Sequence, residues 1–211
     1  MARRAPSLDV GAILAGVGAT GDESEPDEVT NALLDATAGL LSIYGVRRWS
    51  VEDVAARSGL GRTTVYRRFE RRDDLVHAVI ARDIRRFFAA IAADVGRYDG
   101  VEDKLVEGFV VGLRAARRSL IPRLVQTDRA DAVALLTADP VLQVGRQAMV
   151  DQYLAIEPDG DEGTAELVAE AIVRLAMSFV LTPQSVIDLD DDDRARRALR
   201  RLIGPLVNPP A

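Results

Sequence analysis

Cysteine is absent from the sequence, and histidine occurs once, as His77. Without cysteine the chain cannot form disulfides, thiolate metal sites or a cysteine nucleophile. A single histidine leaves too few ligands for a transition-metal sensor, so we expect no metal site. Aromatic residues amount to 5% of the chain. Because β-branched residues also rarely alternate with polar ones, we expect little or no β-sheet.

Long apolar runs are missing as well. None approaches the roughly 20 residues that a membrane-spanning helix requires. The pattern Gly-x-Gly-x-x-Gly occurs at Gly16–Gly21, but Asp22 to Pro26 follow it and no βαβ pattern surrounds it. It therefore does not indicate a dinucleotide site. We expect a cytoplasmic protein with no bound cofactor.

Apolar residues are nevertheless plentiful, at 48% of 211 residues, which is enough to bury a core. Ala, Leu, Arg and Glu fill most long windows, and these residue types favour helices. Apolar residues recur at helical spacing over most of the chain beyond residue 26. The sequence predicts an all-α chain of about nine or ten helices. A flexible N-terminal extension over residues 1–25 is expected to precede them.

Charge is distributed unevenly along the chain. The whole sequence has 27 basic and 33 acidic residues, a net charge of −6. The segment from Val46 to Arg72 contains eight arginines and three acidic residues, a net charge of +5, which leaves −11 for the remainder. One basic end on an otherwise acidic body is the distribution expected of a DNA-binding segment attached to a larger domain.

The segment from Ser50 to Phe69 reads S-V-E-D-V-A-A-R-S-G-L-G-R-T-T-V-Y-R-R-F. Ser50 is a good helix N-cap with Asp53 three residues on, and Gly59 suits a turn that requires positive φ. Small Ala55 allows two helices to cross closely. Three apolar positions have the spacing of a shared core: Val54, Leu60 and Val65. These features predict a helix-turn-helix.

The second helix of this motif would present six side chains outward: Arg62, Thr63, Thr64, Tyr66, Arg67 and Arg68. In helix-turn-helix proteins such side chains contact bases and phosphates in the major groove. A plainer alternative exists, because Tyr66 could be a core aromatic and arginine runs are often solvated faces. Arg47 and Arg48 are open to the same two interpretations.

The run A-A-R-S-G-L-G-R-T-T-V-Y-R-R-F, followed by R-R-D-D-L, resembles the signature of the TetR family of regulators. The resemblance implies a three-helix DNA-binding domain at residues 26–72 and a helical ligand-binding and dimerisation domain at residues 73–211. It also implies a homodimer that binds a palindromic operator, a small-molecule effector, and repression as the usual outcome. Thr63 and Arg68 depart from the family, which often has Gly and His there.

Position in the family motif implies separate roles on DNA. Ser50, Thr64, Tyr66 and Arg72 would hold phosphates. Arg62, Thr63 and Arg67 would read bases. Arg62 opens the recognition helix, where a guanidinium can meet guanine with two hydrogen bonds.

The segment from Asp103 to Tyr153 is expected to form most of a ligand cavity. An apolar bundle interior with a few polar groups is typical of small-molecule sites. The candidate lining residues are Phe109, Leu113, Leu124, Gln143, Gln147 and Met177. The alternative is that the apolar candidates are ordinary core residues and that the glutamines face water.

The last two long helical segments have apolar stripes wider than a lone surface helix needs. The family resemblance implies that such helices form a four-helix bundle between two subunits. The candidate interface residues are Leu167, Ile172, Leu175, Phe179, Leu199, Leu202 and Leu206.

Two other classes of protein are compatible with an all-α chain of this composition. An all-α enzyme would need a catalytic constellation, and the sequence has no paired histidines, no cysteine and no phosphate loop attached to a strand. A DNA-binding architectural protein without ligand control would need less chain, since about two-thirds of the sequence lies beyond the motif. We therefore expect a regulator and not an enzyme.

Overall fold

The described part of the chain contains helices and no strands, which confirms the all-α prediction. The structure is a computed structural model that describes Ile13 and residues 27–208, and ten α-helices lie within residues 27–208. Ile13 is helical and fully buried. The rest of the expected N-terminal extension, including the pattern at Gly16–Gly21, lies outside the described residues.

The helices are numbered here in chain order, and their number agrees with the nine or ten expected. They are α1 (Glu28–Tyr44), α2 (Val51–Ser58), α3 (Arg62–Arg68), α4 (Arg72–Val95), α5 (Val101–Arg118), α6 (Ile121–Thr127), α7 (Arg129–Leu136), α8 (Asp139–Ile156), α9 (Glu162–Leu181) and α10 (Asp192–Val207).

Helix α1 is bounded by local signals at both ends. Asp27 is its N-cap, and the Asp27 carboxylate accepts a hydrogen bond from the Thr30 N–H at 2.8 Å. This bond to the backbone holds the pKa of Asp27 below its ordinary value. At the other end Gly45 has a φ of 71°, and its N–H donates to the Leu41 carbonyl at 3.0 Å. Gly45 therefore ends the helix, in a conformation that glycine adopts without a steric penalty.

The first of two compact units contains the described residues up to Arg86 together with the segment from Ser119 to Leu135. In this unit α6 packs along α1. The Asp83 carboxylate also accepts the Leu120 N–H at 2.9 Å, which ties the start of the later segment to α4. The first unit thus contains Arg72–Arg86 of α4, all of α6 and all of α7 except Leu136, together with α1, α2 and α3. The domain boundary expected at residue 72 stays a prediction.

The second unit consists of Phe87–Arg118 and the chain from Leu136 onward. Helix α5 is its centre, because every residue from Leu105 to Leu113 is buried. Helices α8, α9 and α10 contribute to the same apolar core. At Gly112 a Cβ would lie 3.3 Å from the Ile91 side chain, so glycine allows α5 to approach the end of α4 closely.

A row of ion pairs joins α5 to α10 inside the second unit. The Glu107 side chain is 3% exposed, and its Oε1 accepts a hydrogen bond from Arg196 Nε at 2.6 Å. Asp103 pairs with Arg200 at 2.5 Å on one side, and Arg114 pairs with Asp192 on the other. The two helices are thus antiparallel with complementary charges, which sets the register of α10 on α5.

Candidate nucleic-acid interface

Helix α2 begins with a complete capping box. The Asp53 N–H donates to Ser50 Oγ at 3.3 Å, while Asp53 Oδ2 accepts the Ser50 N–H at 2.8 Å. Oδ2 also accepts from the Ser50 hydroxyl at 2.8 Å. The Ser50 hydroxyl and N–H lower the pKa of the Asp53 carboxyl, which is ionised when it makes these bonds. The expected N-cap at Ser50 is confirmed, and it orients the first turn of α2.

Helices α2 and α3 form the expected turn and core. Gly59 is left-handed with a φ of 73°, a conformation that glycine adopts without a steric penalty. Val54 and Val65 are fully buried, Ala55 is 8% exposed, and Leu60, the third residue expected in this core, is half-buried. The two helices pack directly on each other and α2 packs on α1. The arrangement is a three-helix unit whose second and third helices form a helix-turn-helix.

The outer face of α3 is polar and mostly open to solvent. Arg62, Thr63, Arg67 and Arg68 are exposed, and Thr64 is half-buried. Tyr66 is 46% exposed, so it is a surface residue with its ring partly covered rather than a core aromatic. The third helix therefore presents the polar and cationic groups that a major groove requires.

Two of the three α3 arginines form ion pairs with neighbouring helices. Arg62 pairs with Glu52 of α2, and Arg68 Nη2 lies 2.5 Å from Asp27 Oδ2. Arg67 has no ion pair within residues 27–208. These carboxylates orient the guanidinium groups of Arg62 and Arg68, whereas the Arg67 side chain is free of such a constraint.

Arg72, at the start of α4, is held by the protein itself. Its guanidinium donates to the carbonyls of Trp49, at 3.0 Å, and Val46. It also lies over the Trp49 ring at 4.0 Å, and its side chain is 20% exposed. The residue expected to hold a phosphate thus has a structural role, joining α4 to the turn that precedes Ser50. Its expected role as a phosphate contact stays a prediction.

Sequence comparison assigns both parts of the chain to one family. The model of "Bacterial regulatory proteins, tetR family" matches residues 33–79, and that of "Bacterial Tetracyclin repressor, C-terminal domain" matches residues 101–205. The chain belongs to the TetR family. This TetR-family chain is a DNA-binding transcriptional regulator of a family of repressors, and its helix-turn-helix is the DNA-binding element.

Individual relatives have the same assignment. The HTH-type transcriptional regulator AlkX of Mycobacterium tuberculosis is 28% identical over 192 residues, covering 84% of each chain. The structure of the TetR family repressor AlkX from Dietzia sp., implicated in biodegradation of n-alkanes, has a TM-score of 0.61 and 24% identity, covering 84% of this chain and 97% of that one. A TetR-like regulator from Rhodococcus sp. RHA1 has a TM-score of 0.58 and 20% identity, covering 89% and 100%. These two structures share the fold.

The six candidate ligand-binding residues are divided between the two units, and their role in binding a ligand stays a prediction. Phe109 and Leu113 are buried in the core of the second unit, where the Phe109 and Phe179 rings meet edge to face at 6.1 Å. Leu124 is buried in the first unit, and Met177 is partly buried in the second. Gln143 and Gln147 are exposed and donate to Asp139 and Asp151 one turn away, both at 2.9 Å. Both amides thus find partners on their own helix.

The candidate dimer residues divide into two groups by exposure. Three are exposed: Leu167 at 64%, Leu202 at 44% and Leu206 at 36%. Ile172 and Leu199 are buried in the core of a single chain, and Leu175 and Phe179 pack partly buried against that core. Of the predicted apolar interface residues, only the exposed leucines of α9 and α10 are therefore left in contact with solvent by a single chain.

Sequence reasoning did not single out Trp49, Glu52 or the acidic corner at Asp128 and Asp131. The sole tryptophan directly before an N-cap serine was the available signal for Trp49.

Within the described residues, no three acidic or histidine side chains are arranged to hold a metal ion. No helix among them has the length and apolar character of a membrane span.

Proposed function

We propose that the chain represses transcription by binding a palindromic operator as a homodimer, and that a small molecule in the second unit releases or strengthens this binding. The observation that most supports this proposal is the exposed basic face of α3, the second helix of the helix-turn-helix. The chain also matches the model of a repressor C-terminal domain. A twofold dimer presents two recognition helices, which suits a palindrome. Such a protein acts on the chromosome, so we assign it to the cytoplasm.

Roles on DNA are assigned to the exposed face of α3 and to the N-terminal ends of α2 and α4. We assign base contacts to Arg62, Thr63 and Arg67. Phosphate contacts are assigned to Ser50, Thr64, Tyr66, Arg68 and Arg72. The N-terminal residues of a recognition helix lie nearest the bases, and residues at its flanks meet the backbone.

The effector is proposed to be a mainly apolar small molecule. The core around α5 is apolar apart from the Glu107–Arg196 pair, and Phe109 and Leu113 lie within it. A ligand that enters such a core gains free energy by leaving water and by contacting aromatic and aliphatic side chains. Gln143 and Gln147 have less support as ligand-binding residues, because both are exposed and bonded to carboxylates on their own helix.

Helix α4 is the proposed link between ligand and operator. It starts at Arg72 in the first unit and continues into the second beyond Phe87. Recognition helices of a dimer must lie about 34–36 Å apart to enter successive major grooves, so a small shift of α4 suffices to change DNA affinity. Because coupling is reciprocal, a ligand that weakens operator binding must itself bind more weakly to the operator complex.

The test begins with selection of duplexes from a random-sequence pool by the full-length protein. We expect a palindromic consensus, bound about 10³-fold or more tightly than random DNA at physiological salt. Selected duplexes without a shared sequence, or equal affinity for selected and random DNA, would contradict operator recognition.

Ligand control is tested separately from DNA binding. Apolar compounds that raise the melting temperature are titrated by calorimetry into the free protein and into its complex with the selected duplex. We expect affinities that differ by about 5–150-fold between the two titrations. Equal affinities would remove effector control through that compound and leave operator recognition intact.

A further inference from the structure

The turn between α1 and α2, residues 45–49, is closed by its own hydrogen bonds. The indole N–H of Trp49 donates to the Gly45 carbonyl at 3.0 Å. Arg72 holds two other carbonyls of the turn, as described above. Because Ser50 and the first turn of α2 follow Trp49 directly, the position of this turn sets the position of the N-terminus of α2.

A second set of contacts reaches this turn from the corner between α6 and α7. Asp131 forms a two-point ion pair with Arg47, whose Nε and Nη2 lie 3.1 and 3.0 Å from the two carboxylate oxygens. Asp128 Oδ2 accepts a hydrogen bond from the Val46 N–H at 3.3 Å. The Asp131 side chain is 18% exposed and the Arg47 side chain 46%, so the carboxylate is partly shielded from solvent while the guanidinium is open to it.

The close approach of the corner depends on glycine. A Cβ at Gly45 would lie 3.2 Å from Asp128 Oδ2 and 3.3 Å from Asp128 Cβ. Asp131 and Asp128 both raise the pKa of Arg47, the hydrogen bond to Asp131 being the larger cause. Charge, backbone hydrogen bonding and sterics therefore all join the corner to the same turn.

The corner belongs to the first unit by packing but to the C-terminal part by sequence. It lies inside residues 101–205, which match the repressor C-terminal domain. The chain leaves the second unit after Arg118 and returns to it at Leu136. A conformational change in the second unit can therefore reach the corner directly along the chain, through the connections at Arg118 and Leu136, without passing along α4.

We propose that Asp128 and Asp131 are positioning residues for DNA binding, which hold the α1–α2 turn and, through it, Ser50 and the N-terminus of α2. The inference rests on the proposed function, because it assumes that this end of α2 meets the DNA backbone. Neither carboxylate contacts DNA, and both act through Arg47 and Val46. Displacement of the corner then changes operator affinity even when α3 is unaltered.

The test compares Asp131→Asn, Arg47→Gln, the double variant and the charge exchange Arg47→Asp with Asp131→Arg in the full-length protein. Binding to a duplex selected by the wild-type protein is measured by fluorescence anisotropy across a salt series. We expect each single variant to weaken binding about threefold to tenfold, and the double variant to weaken it no further, because both changes break one contact. The charge exchange is expected to restore part of the affinity.

The two single variants shift net charge in opposite directions, which controls for long-range electrostatics. By charge alone Asp131→Asn would strengthen binding to DNA, whereas loss of positioning weakens it. Salt dependence is expected to stay at the wild-type slope, since no phosphate contact is lost. Asp151→Asn on α8 is the control for charge alone, because it removes an equal charge while the asparagine Oδ1 still accepts the hydrogen bond from Gln147. It is expected to leave affinity at or slightly above the wild-type value, whereas Asp131→Asn is expected to lower it.

Any of four results would overturn the inference. Tighter binding by Asp131→Asn would mean that the pair masks Arg47 from phosphate. Unchanged affinity with a lowered melting temperature would mean that the pair serves stability alone. Failure of the wild-type protein to select any sequence would overturn both the inference and the proposed function, whereas selective binding with unaffected variants would overturn the inference alone.

Discussion

At the scale of single residues, Arg62 is the clearest candidate for reading a base. It opens α3, its side chain is 62% exposed, and Glu52 holds its guanidinium beside α2. Arg62→Ala is expected to cost about 1–3 kcal/mol on the selected duplex and to relax preference at one base pair. Competition titrations with single-base variants of the duplex measure both effects.

Arg71→Ala is the matched control for this prediction. Arg71 carries the same charge near the motif, is 80% exposed, and pairs with Asp74 in the first turn of α4. Its loss is expected to lower affinity for selected and random duplexes by the same factor. If Arg62→Ala behaves in that way too, Arg62 contacts the backbone and reads no base.

Arg72 is expected to matter for stability as well as for any phosphate contact. Arg72→Ala removes hydrogen bonds to the Trp49 and Val46 carbonyls and the contact with the Trp49 ring. We expect a loss of about 2 kcal/mol in the free energy of unfolding, measured by urea denaturation, because part-buried carbonyls lose a charged donor. Arg71→Ala is expected to change stability by less than about 0.5 kcal/mol.

Arg72→Lys distinguishes the two roles of this residue. Lysine keeps the positive charge but lacks the planar fork that reaches two carbonyls at once. A structural role predicts that Arg72→Lys is nearly as unstable as Arg72→Ala. If Arg72→Lys has the stability and the DNA affinity of the wild type, a positive charge is all that this position requires, as in a contact with a phosphate.

At the scale of helices, aspartates cap or help to cap the N-termini of α1, α2, α9 and α10. Asp161 caps α9 by accepting the Thr164 hydroxyl and N–H, both at 2.8 Å, and these bonds lower its pKa. The pKa values of Asp27 and Asp53 are lowered by equivalent bonds at α1 and α2. A carboxylate with a lowered pKa in the folded state stabilises the fold above its ordinary pKa, and this contribution is lost as the pH falls through the lowered value.

Asp161→Asn tests this pH dependence at one helix. Asparagine can still cap α9 but does not titrate. Stability from urea denaturation between neutral pH and pH 3 is expected to fall less steeply in the variant than in the wild type. Identical acid branches of the two curves would show that the Asp161 cap contributes nothing to acid sensitivity. Asp159→Asn, at an exposed loop position, serves as the control.

At the scale of the whole molecule, the exposed leucines of α9 and α10 predict self-association. Leu167, Leu202 and Leu206 are exposed on two helices that are otherwise packed in the core of the second unit. Replacing Leu202 and Leu206 together with Glu is expected to yield a monomer by sedimentation velocity, since burying two carboxylates in an apolar interface is unfavourable.

Val186→Glu is the control for the dimer prediction. Val186 is fully exposed in the connection between α9 and α10, so it offers the same chemical change away from both helices. It is expected to leave the sedimentation coefficient unchanged. A dimer that survives the double leucine change, with helicity intact by circular dichroism, would move the interface to another surface.

Local features of this protein were predictable from sequence because they depend on residues close together in the chain. The capping box links Ser50 to Asp53 within one turn, and the left-handed Gly59 follows from the steric freedom of glycine. Helix positions follow from apolar periodicity in the same way. The helix-turn-helix signature was readable for this reason, and with it the family.

Contacts between distant segments were decided by the tertiary structure. Arg47 and Asp131 are 84 residues apart, and Glu107 and Arg196 are 89 apart. Neither pair has a local signal, because an exposed arginine and aspartate look the same in sequence whether or not another helix faces them. Packing also puts residues 119–135 beside the DNA-binding helices and gives Arg72 its carbonyl partners. Helix type and caps are thus properties of short stretches, whereas the partners of each helix depend on how the apolar faces of the whole chain are buried together.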